Sequence, residues 1–434
     1  MRRIASCLAV TLVAALSACA VDNGGDDDGD GEATLGISAA AADPSTQDAP
    51  GDPHVVAVPR WDSGDVTNYY VAPDGGDAAP GTAGRPASLV GLRRLLADRS
   101  SDDHDVLVHF RPGDYESDTT LRFDCGQLRT GALAANGRRT ILMPWQWTGG
   151  SGYDSLPAGE TGRSRRPRFL AHTAGAGPAI AVSCANGRAT NLEIYYLAFE
   201  HYISSAMHLG TGIENLPASC LTTGASPSPC WNSSTTIEGC TFFHIGDRYW
   251  EPGDRFGYAA IKSNNSRGNV IRNNLFVKIR NRARVVTTPN GKTLDAGGLI
   301  HGLYLFESSM DDLIVGNGFD AISGVALKLR GGADRTIIRN NTFGRTSAEF
   351  AIADHFQLGA AADGHRAECS SRELVIEGNR FDCSRIAGTG TGLGLYTMIS
   401  TDQTGYRSEC AQHDTMGPRV TPRSQDDAER RCGP

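Results

Sequence analysis

The sequence predicts an all-β chain wound as a right-handed parallel β-helix, a solenoid with a short capping helix at its N-terminal end. Three observations carry this. An isoleucine followed five positions later by phenylalanine recurs six times: Ile194…Phe199, Ile237…Phe242, Ile271…Phe276, Ile314…Phe319, Ile338…Phe343 and Ile376…Phe381. Four of these segments carry an asparagine three positions after the isoleucine: Asn274, Asn317, Asn341 and Asn379. The 52 glycines, set against 7% aromatic residues, suit many tight turns joining short strands.

The Ile-to-Ile steps are 43, 34, 43, 24 and 38 residues. Repeats on this scale signal a solenoid. The step of 24 is near one coil; the longer ones need loop insertions or an unmarked extra coil. Stacked coils sit about 4.8 Å apart. Asparagine tolerates the left-handed backbone of a sharp corner, and stacked asparagines can hydrogen-bond along the axis. A second strand precedes each marker: Ala260-Ile261-Lys262-Ser263, Leu303-Tyr304-Leu305-Phe306, Leu327-Lys328-Leu329-Arg330 and, more loosely, Ile352-Ala353-Asp354-His355. A propeller or sandwich would show hairpin signals between strands, and few are present.

The chain divides into four parts. Residues 1–18 read as an export signal. Arg2 and Arg3 precede an apolar run from Ile4 to Leu16, too short to span a membrane. Leu16-Ser17-Ala18-Cys19 resembles the lipobox of bacterial lipoproteins, and that resemblance implies acylation at Cys19 and anchoring at the outer membrane or cell surface. Residues 19–65 include Asn23-Gly24-Gly25-Asp26-Asp27-Asp28-Gly29-Asp30-Gly31 and read as an acidic flexible tether. Residues 66–400 form the β-helix. Residues 401–434 form a C-terminal cap or tail.

Order is expected from about Asn68. Tyr69-Tyr70-Val71 is a strand, Pro80-Gly81-Thr82 a turn, and Ser88 to Arg99 a helix with Leu89, Leu92, Leu95 and Leu96 on one side. Val106-Leu107-Val108-His109-Phe110 is the next strand, closed by Arg111-Pro112-Gly113-Asp114-Tyr115. This order resembles the N-terminal cap of the pectate-lyase-like β-helix proteins. A cap is needed physically, because the first coil would otherwise expose a sheet edge and an open core.

Net charge is -8, which argues against a nucleic-acid partner. Nine cysteines remain once Cys7 is removed and Cys19 is acylated, and an exported chain permits disulfides. Cys220 with Cys230, Cys369 with Cys383 and Cys410 with Cys432 are the candidate pairs, and an odd count leaves one thiol over. No cysteine or histidine spacing suggests zinc.

The alternation of strand residues fixes which side chains point outward. Lys262, Phe306, Arg330 and His355 are expected to form one outward column, with Tyr304 and Lys328 beside it and His301 at a turn or in the core. Cations pair with uronate carboxylates and an aromatic ring takes a sugar face, so such a column suits an acidic polysaccharide. The stretches Ile261-Lys262-Ser263…Ile271-Arg272-Asn273-Asn274-Leu275-Phe276 and Leu327-Lys328-Leu329-Arg330-Gly331-Gly332 resemble the lysine- and arginine-bearing coils of the alginate and chondroitin-B lyases. That resemblance implies β-elimination, with Lys262 as base, Arg330 as acid and a calcium ion neutralising the uronate. The base must lose its proton, which a neighbouring cation or burial favours; Arg330 or Lys328 could supply the charge.

One departure stands out. In that family the two coils are adjacent, whereas here the Tyr304–Phe306 coil lies between them, a separation of about 10 Å. Candidate calcium ligands are Glu307 and Asp295, with Asp311 and Asp312 behind them; Glu307, Asp311 and Asp312 also fit a solvated turn. Trp145, Trp147 and Trp231 are sugar platforms or loop anchors. The loops Ala218 to Asn232 and Arg280 to Gly298 are expected to wall the groove. A glycoside hydrolase would need two carboxylates at a set separation, and no Asp–Asp cluster marks the predicted strands. The alternatives are a non-catalytic glycan-binding or adhesin β-helix, and a hydrolase or epimerase on the same scaffold; on each reading the chain is expected to be a monomer.

Overall fold

The computed structural model describes residues 66–97, 105–124, 139–145, 166–173, 176–183, 191–210, 232–233, 235–246, 259–281, 285–287, 293–306, 309–344, 350–356, 369–381 and 394–400. The signal segment, Cys19, the tether and residues 401–434 lie outside these, as do Cys220, Cys230 and Cys383.

The chain coils into three long sheets whose strand pairs are all parallel. We name each by its most regular residue. The Ile sheet has nine strands, from Val66–Gly76 to Val375–Glu377. The Phe sheet has eight, from Gly113–Glu116 to Arg380–Phe381. The Lys sheet also has eight, from Leu121–Asp124 to Gly394–Ser400. After the first strand, whose turn is completed by a helix, each turn of chain lays one strand on the Ile sheet, one on the Phe sheet and one on the Lys sheet. This is a parallel β-helix, as the marker spacing predicts.

All six marker isoleucines stand in one register, each opposite the next: Ile194, Ile237, Ile271, Ile314, Ile338 and Ile376. The phenylalanines do the same. Phe169, Phe199, Phe242, Phe276, Phe319 and Phe343 stack with ring centroids 4.7–5.3 Å apart. Every one of these rings is buried, and burying such a side chain contributes about 1.5–3 kcal/mol. Marked coils are direct neighbours, so the long Ile-to-Ile steps are insertions and not extra coils.

The asparagines form a second ladder. Asn274 Nδ2 donates to Ile237 O at 2.9 Å and to Asn317 Oδ1 at 3.0 Å; Asn317 Nδ2 donates to Ile271 O at 2.8 Å and to Asn341 Oδ1 at 3.0 Å. Asn341 continues to Asn379 in the same way. These residues do not themselves take the left-handed backbone, contrary to the corner role expected for them. The residue before each one does: Asn273, Gly316, Asn340 and Gly378, with φ of 54°, 66°, 55° and 62°. At Gly316 a Cβ would also fall 2.5 Å from Asn273 Oδ1. Cys240 takes the ladder position one coil earlier. Its backbone N donates to Asn274 Oδ1 at 2.9 Å, and its free, buried thiol faces Ile194 O. Cys369 is disulfide-bonded.

The N-terminal end is closed by helix α1 (Leu89–Ala97). It packs on the Val66–Gly76 and Leu121–Asp124 strands through Leu89, Leu92 and Leu96, with Leu95 half-buried beside them. Ser88 Oγ accepts from Gly91 N at 3.0 Å and so caps the helix start.

Candidate functional site

The Lys sheet positions the candidate site. Its inward residues Ile261, Leu303, Leu305, Leu327 and Leu329 are buried in the core. The alternate residues therefore face outward. The register pairs His208 with Lys262, Lys262 with Tyr304, Tyr304 with Lys328 and Lys328 with Ala353. A second column, two residues further along each strand, runs Asn264, Phe306, Arg330 and His355.

This corrects the expected columns in one respect. Lys262 stands in the Tyr304–Lys328 column, and the rung beside Phe306 is Asn264. Alternation by twos fixes the face of a side chain but not which outward rung it meets, because register shifts of two residues preserve the face. His208, at the head of the Lys262 column, escapes the sequence reading. Its strand, Met207–Leu209, is three residues long and offers only the apolar–polar–apolar pattern as a signal.

The cations converge on the middle coil. Lys262 Nζ lies 5.5 Å from the Phe306 ring centroid and Arg330 Cζ lies 5.1 Å from it. Lys328 Nζ lies 5.2 Å from the Tyr304 centroid, and Arg330 Nη1 donates to Tyr304 Oη at 3.3 Å. The two rings are 5.3 Å apart. Thus Lys262, Tyr304, Phe306, Lys328 and Arg330 form one cluster on a chain of net charge -8. His301 is buried on the same coil. Its Nδ1 contacts Val325 O at 3.1 Å and its ring meets Tyr304 edge-on at 5.4 Å, so it braces the cluster from within. His355 is opposite Arg330 by backbone register, and its side chain lies outside the described residues.

Asp354 faces the core. Its two oxygens accept from Ser371 N and Ser371 Oγ, both at 2.9 Å, which ties a corner of the coil. Glu307 lies outside the described residues, and the side chain of Asp295 does too; its backbone belongs to an antiparallel hairpin. Asp311 is ion-paired to Arg267 and Arg335. Asp312 is fully buried, not solvated, and its Oδ1 accepts from Asn269 N at 2.8 Å and Asn269 Nδ2 at 2.9 Å. Burial raises its carboxyl pKa to about 8. Among the described residues no three His, Cys, Asp or Glu side chains gather to hold a metal.

Insertions enter at the edges of the Lys sheet. The hairpin Val285–Thr287 with Thr293–Asp295, and a 3-10 turn at Ala296–Leu299, precede the His301–Phe306 strand. This hairpin belongs to the second of the two loops expected to wall the groove. Of the first, only its last residue, Asn232, is described. Trp145 lies far from this cluster in register, tilted against Tyr70 at 4.4 Å and under the Arg111 guanidinium at 4.4 Å, as an anchor of the first coils; Trp147 and Trp231 lie outside the described residues.

No protein-family model matches this chain, and no curated protein matches it. Solved structures do. A pectate lyase is similar at 10% identity and a TM-score of 0.36, over 76% of this chain and 63% of that one. The catalytic domain of a GH87 α-1,3-glucanase is similar at 13% identity and 0.33, over 72% and 46%. A rhamnogalacturonan lyase is similar at 10% identity and 0.33, over 84% and 88%. The chain thus spans less than two thirds of the pectate lyase and under half of the glucanase domain. The fold itself rests on the three sheets and their ladders.

Proposed function

We propose that this chain is a carbohydrate-active β-helix enzyme that cleaves an acidic, uronate-containing glycan by β-elimination on the outer face of the Lys sheet. The observation that carries the reading is the cluster of Lys262, Lys328 and Arg330 around Tyr304 and Phe306. Cations placed this way pair with a uronate carboxylate. Lys262 Nζ, as the neutral amine, takes the proton from the carbon bearing the carboxylate. The electron pair forms the new C=C bond, the glycosidic C–O bond at the next carbon breaks, and the departing oxygen takes a proton delivered at Arg330. Lys328 and Tyr304 bind the sugar beside the reacting one. His301 holds Tyr304, and His355 extends the groove by one coil.

Elimination is favoured over hydrolysis on one ground. A glycosidase of the usual kind needs two carboxyl groups across the scissile bond. Among the described side chains on the outer face of the Lys sheet there is no Asp or Glu, since Asp354 points inward. Glu307 and Asp295 would be the residues to hold a calcium ion, which would neutralise the uronate carboxylate. Export and a lipid anchor at Cys19 complete the proposal, supported by Arg2, Arg3 and the segment Leu16-Ser17-Ala18-Cys19.

The test is the ultraviolet absorbance of unsaturated uronate while the purified protein is incubated with alginate, pectate and glycosaminoglycans, with and without calcium. We expect product from at least one polymer. Lys262→Ala and Arg330→Ala should each lower the rate by roughly 10²-fold or more. Binding without product on any polymer would move the assignment to a non-catalytic glycan-binding β-helix.

A further inference from the structure

Lys262 and Arg330 belong to coils on either side of the Tyr304–Phe306 coil, and their backbones are two strand spacings apart across the sheet and two residues apart along it, about 12 Å. A base and an acid serving one sugar residue must come closer than that. The side chains do so by leaning toward the same ring. Lys262 is not the register neighbour of Phe306, yet its Nζ reaches diagonally to 5.5 Å from that ring's centroid. Arg330 is the rung that follows Phe306, and its guanidinium carbon folds back to 5.1 Å from the same centroid. Both distances fall within the roughly 6 Å reach of a cation–π contact.

We infer that Phe306 is a positioning residue: it holds Lys262 and Arg330, from two non-adjacent coils, at one point of the groove, and it is not a platform on which a sugar stacks. Its role in catalysis rests on the elimination proposed above. Tyr304 supports the arrangement from the neighbouring rung. Its hydroxyl accepts from Arg330 Nη1, and its ring carries Lys328 Nζ at 5.2 Å. The quadrupole of Phe306 faces cations of the protein itself, so a sugar that stacked there would have to displace one of them. A sugar seated above the middle coil instead meets an amine from one side and a guanidinium from the other. Pre-arranging two reacting groups in this way acts on turnover more than on binding.

Two measurements test this, and only one needs activity. Reductive ¹³C-methylation converts each lysine to a dimethyl form that keeps its charge and reports ring currents by NMR. The Lys262 resonance, assigned by its loss in Lys262→Arg, should be displaced upfield. Phe306→Leu should abolish that displacement, Phe306→Tyr should keep it, and the Lys328 resonance over Tyr304 should stay put in both, which shows that the sheet is intact. No upfield displacement of Lys262 in the wild type would overturn the inference. On whichever polymer is cleaved, Phe306→Leu should lower kcat by about tenfold or more with KM changed by less than about twofold, and Phe306→Tyr should restore it. A rise in KM at unchanged kcat would overturn the inference in favour of a stacking platform. If no polymer is cleaved, the elimination reading fails, while the resonances still decide whether Phe306 holds Lys262.

Discussion

Replacing Asp312 by asparagine should stabilise the folded chain by an amount that grows with pH. The side chain is fully buried where the chain passes from the Lys sheet to the Ile sheet, two residues before Ile314. Its Oδ1 accepts two hydrogen bonds from Asn269, but Oδ2 has no hydrogen-bond partner, and neither does Oγ1 of Thr336 on the facing rung. Loss of water around the carboxyl is the main cause of its raised pKa. The two Asn269 bonds oppose it, and the Asp311 charge, itself paired to Arg267 and Arg335, adds slightly to it.

In the unfolded chain this acid ionises near 3.8; in the fold it keeps its proton up to about 8. Between those values the native state binds more protons than the unfolded state. Stability therefore falls as pH rises through that window, and the loss is complete above about 8. At 1.36 kcal/mol per tenfold change in proton affinity, the whole window is worth roughly 5–6 kcal/mol as an upper bound. Buried sites relax and polarise more than a rigid interior would, so we expect about 2–3 kcal/mol in practice. Asparagine has the shape of the protonated acid, and it already occupies the equivalent place one coil earlier as Asn269. The assay is urea unfolding of wild type and Asp312→Asn from pH 4 to 9, compared at each pH so that all other titrating groups cancel. The variant should match the wild type near pH 4 and exceed it by the full amount above pH 8. A difference that stays flat, or shrinks as pH rises, would show that the carboxylate is charged in the fold and refute the reasoning.

Three further outcomes follow from the core and the first coils. Asn317→Ala removes the acceptor of Asn274 N and Asn274 Nδ2 and the donor to Ile271 O, leaving buried groups unpaired; denaturation should show a loss of about 3–5 kcal/mol. Phe276→Ala empties a place between rings at 4.8 and 4.7 Å and should cost about 3–5 kcal/mol, recovered in part by Phe276→Leu. Burial lowers the pKa of His109 to about 4, so its imidazole should stay neutral in an NMR titration down to about that pH. Here the unfolded chain takes the proton first, so stability is lost as pH falls from 6.5 towards 4, and His109→Gln should remove that share of the acid slope.

What could be read in the sequence was what the chain repeats. The isoleucine, phenylalanine and asparagine positions recur at fixed offsets, and all three became continuous ladders. The capping helix was legible because its leucines have helical spacing. The outward face of Lys262, Tyr304, Phe306, Lys328 and Arg330 was legible too, while the rung of Lys262 was not, because alternation is blind to shifts of two. Asp312 does lie at a corner between strands, and its burial shows only when corresponding coils are compared. Thr235, Asn269, Asp312 and Thr336 each stand two positions before a marker isoleucine, and all four are buried. The side chain of His301 gave no such signal: its partner Val325 O is a backbone atom that belongs to the next coil.

Ile314 and Ile338 stand 24 residues apart. All three ladders cross the coil between them unbroken, so 24 residues suffice for a complete turn of this chain, and the surplus in every longer turn is material that the scaffold does not require. Some of that surplus is spliced in beside the Lys sheet, as the hairpin before His301 shows. Mutation can lengthen, trim or exchange such borders around the cationic cluster without disturbing a single rung. The specificity of the groove and the endurance of the coil can thus evolve on separate accounts, one written in the insertions and the other in the repeat.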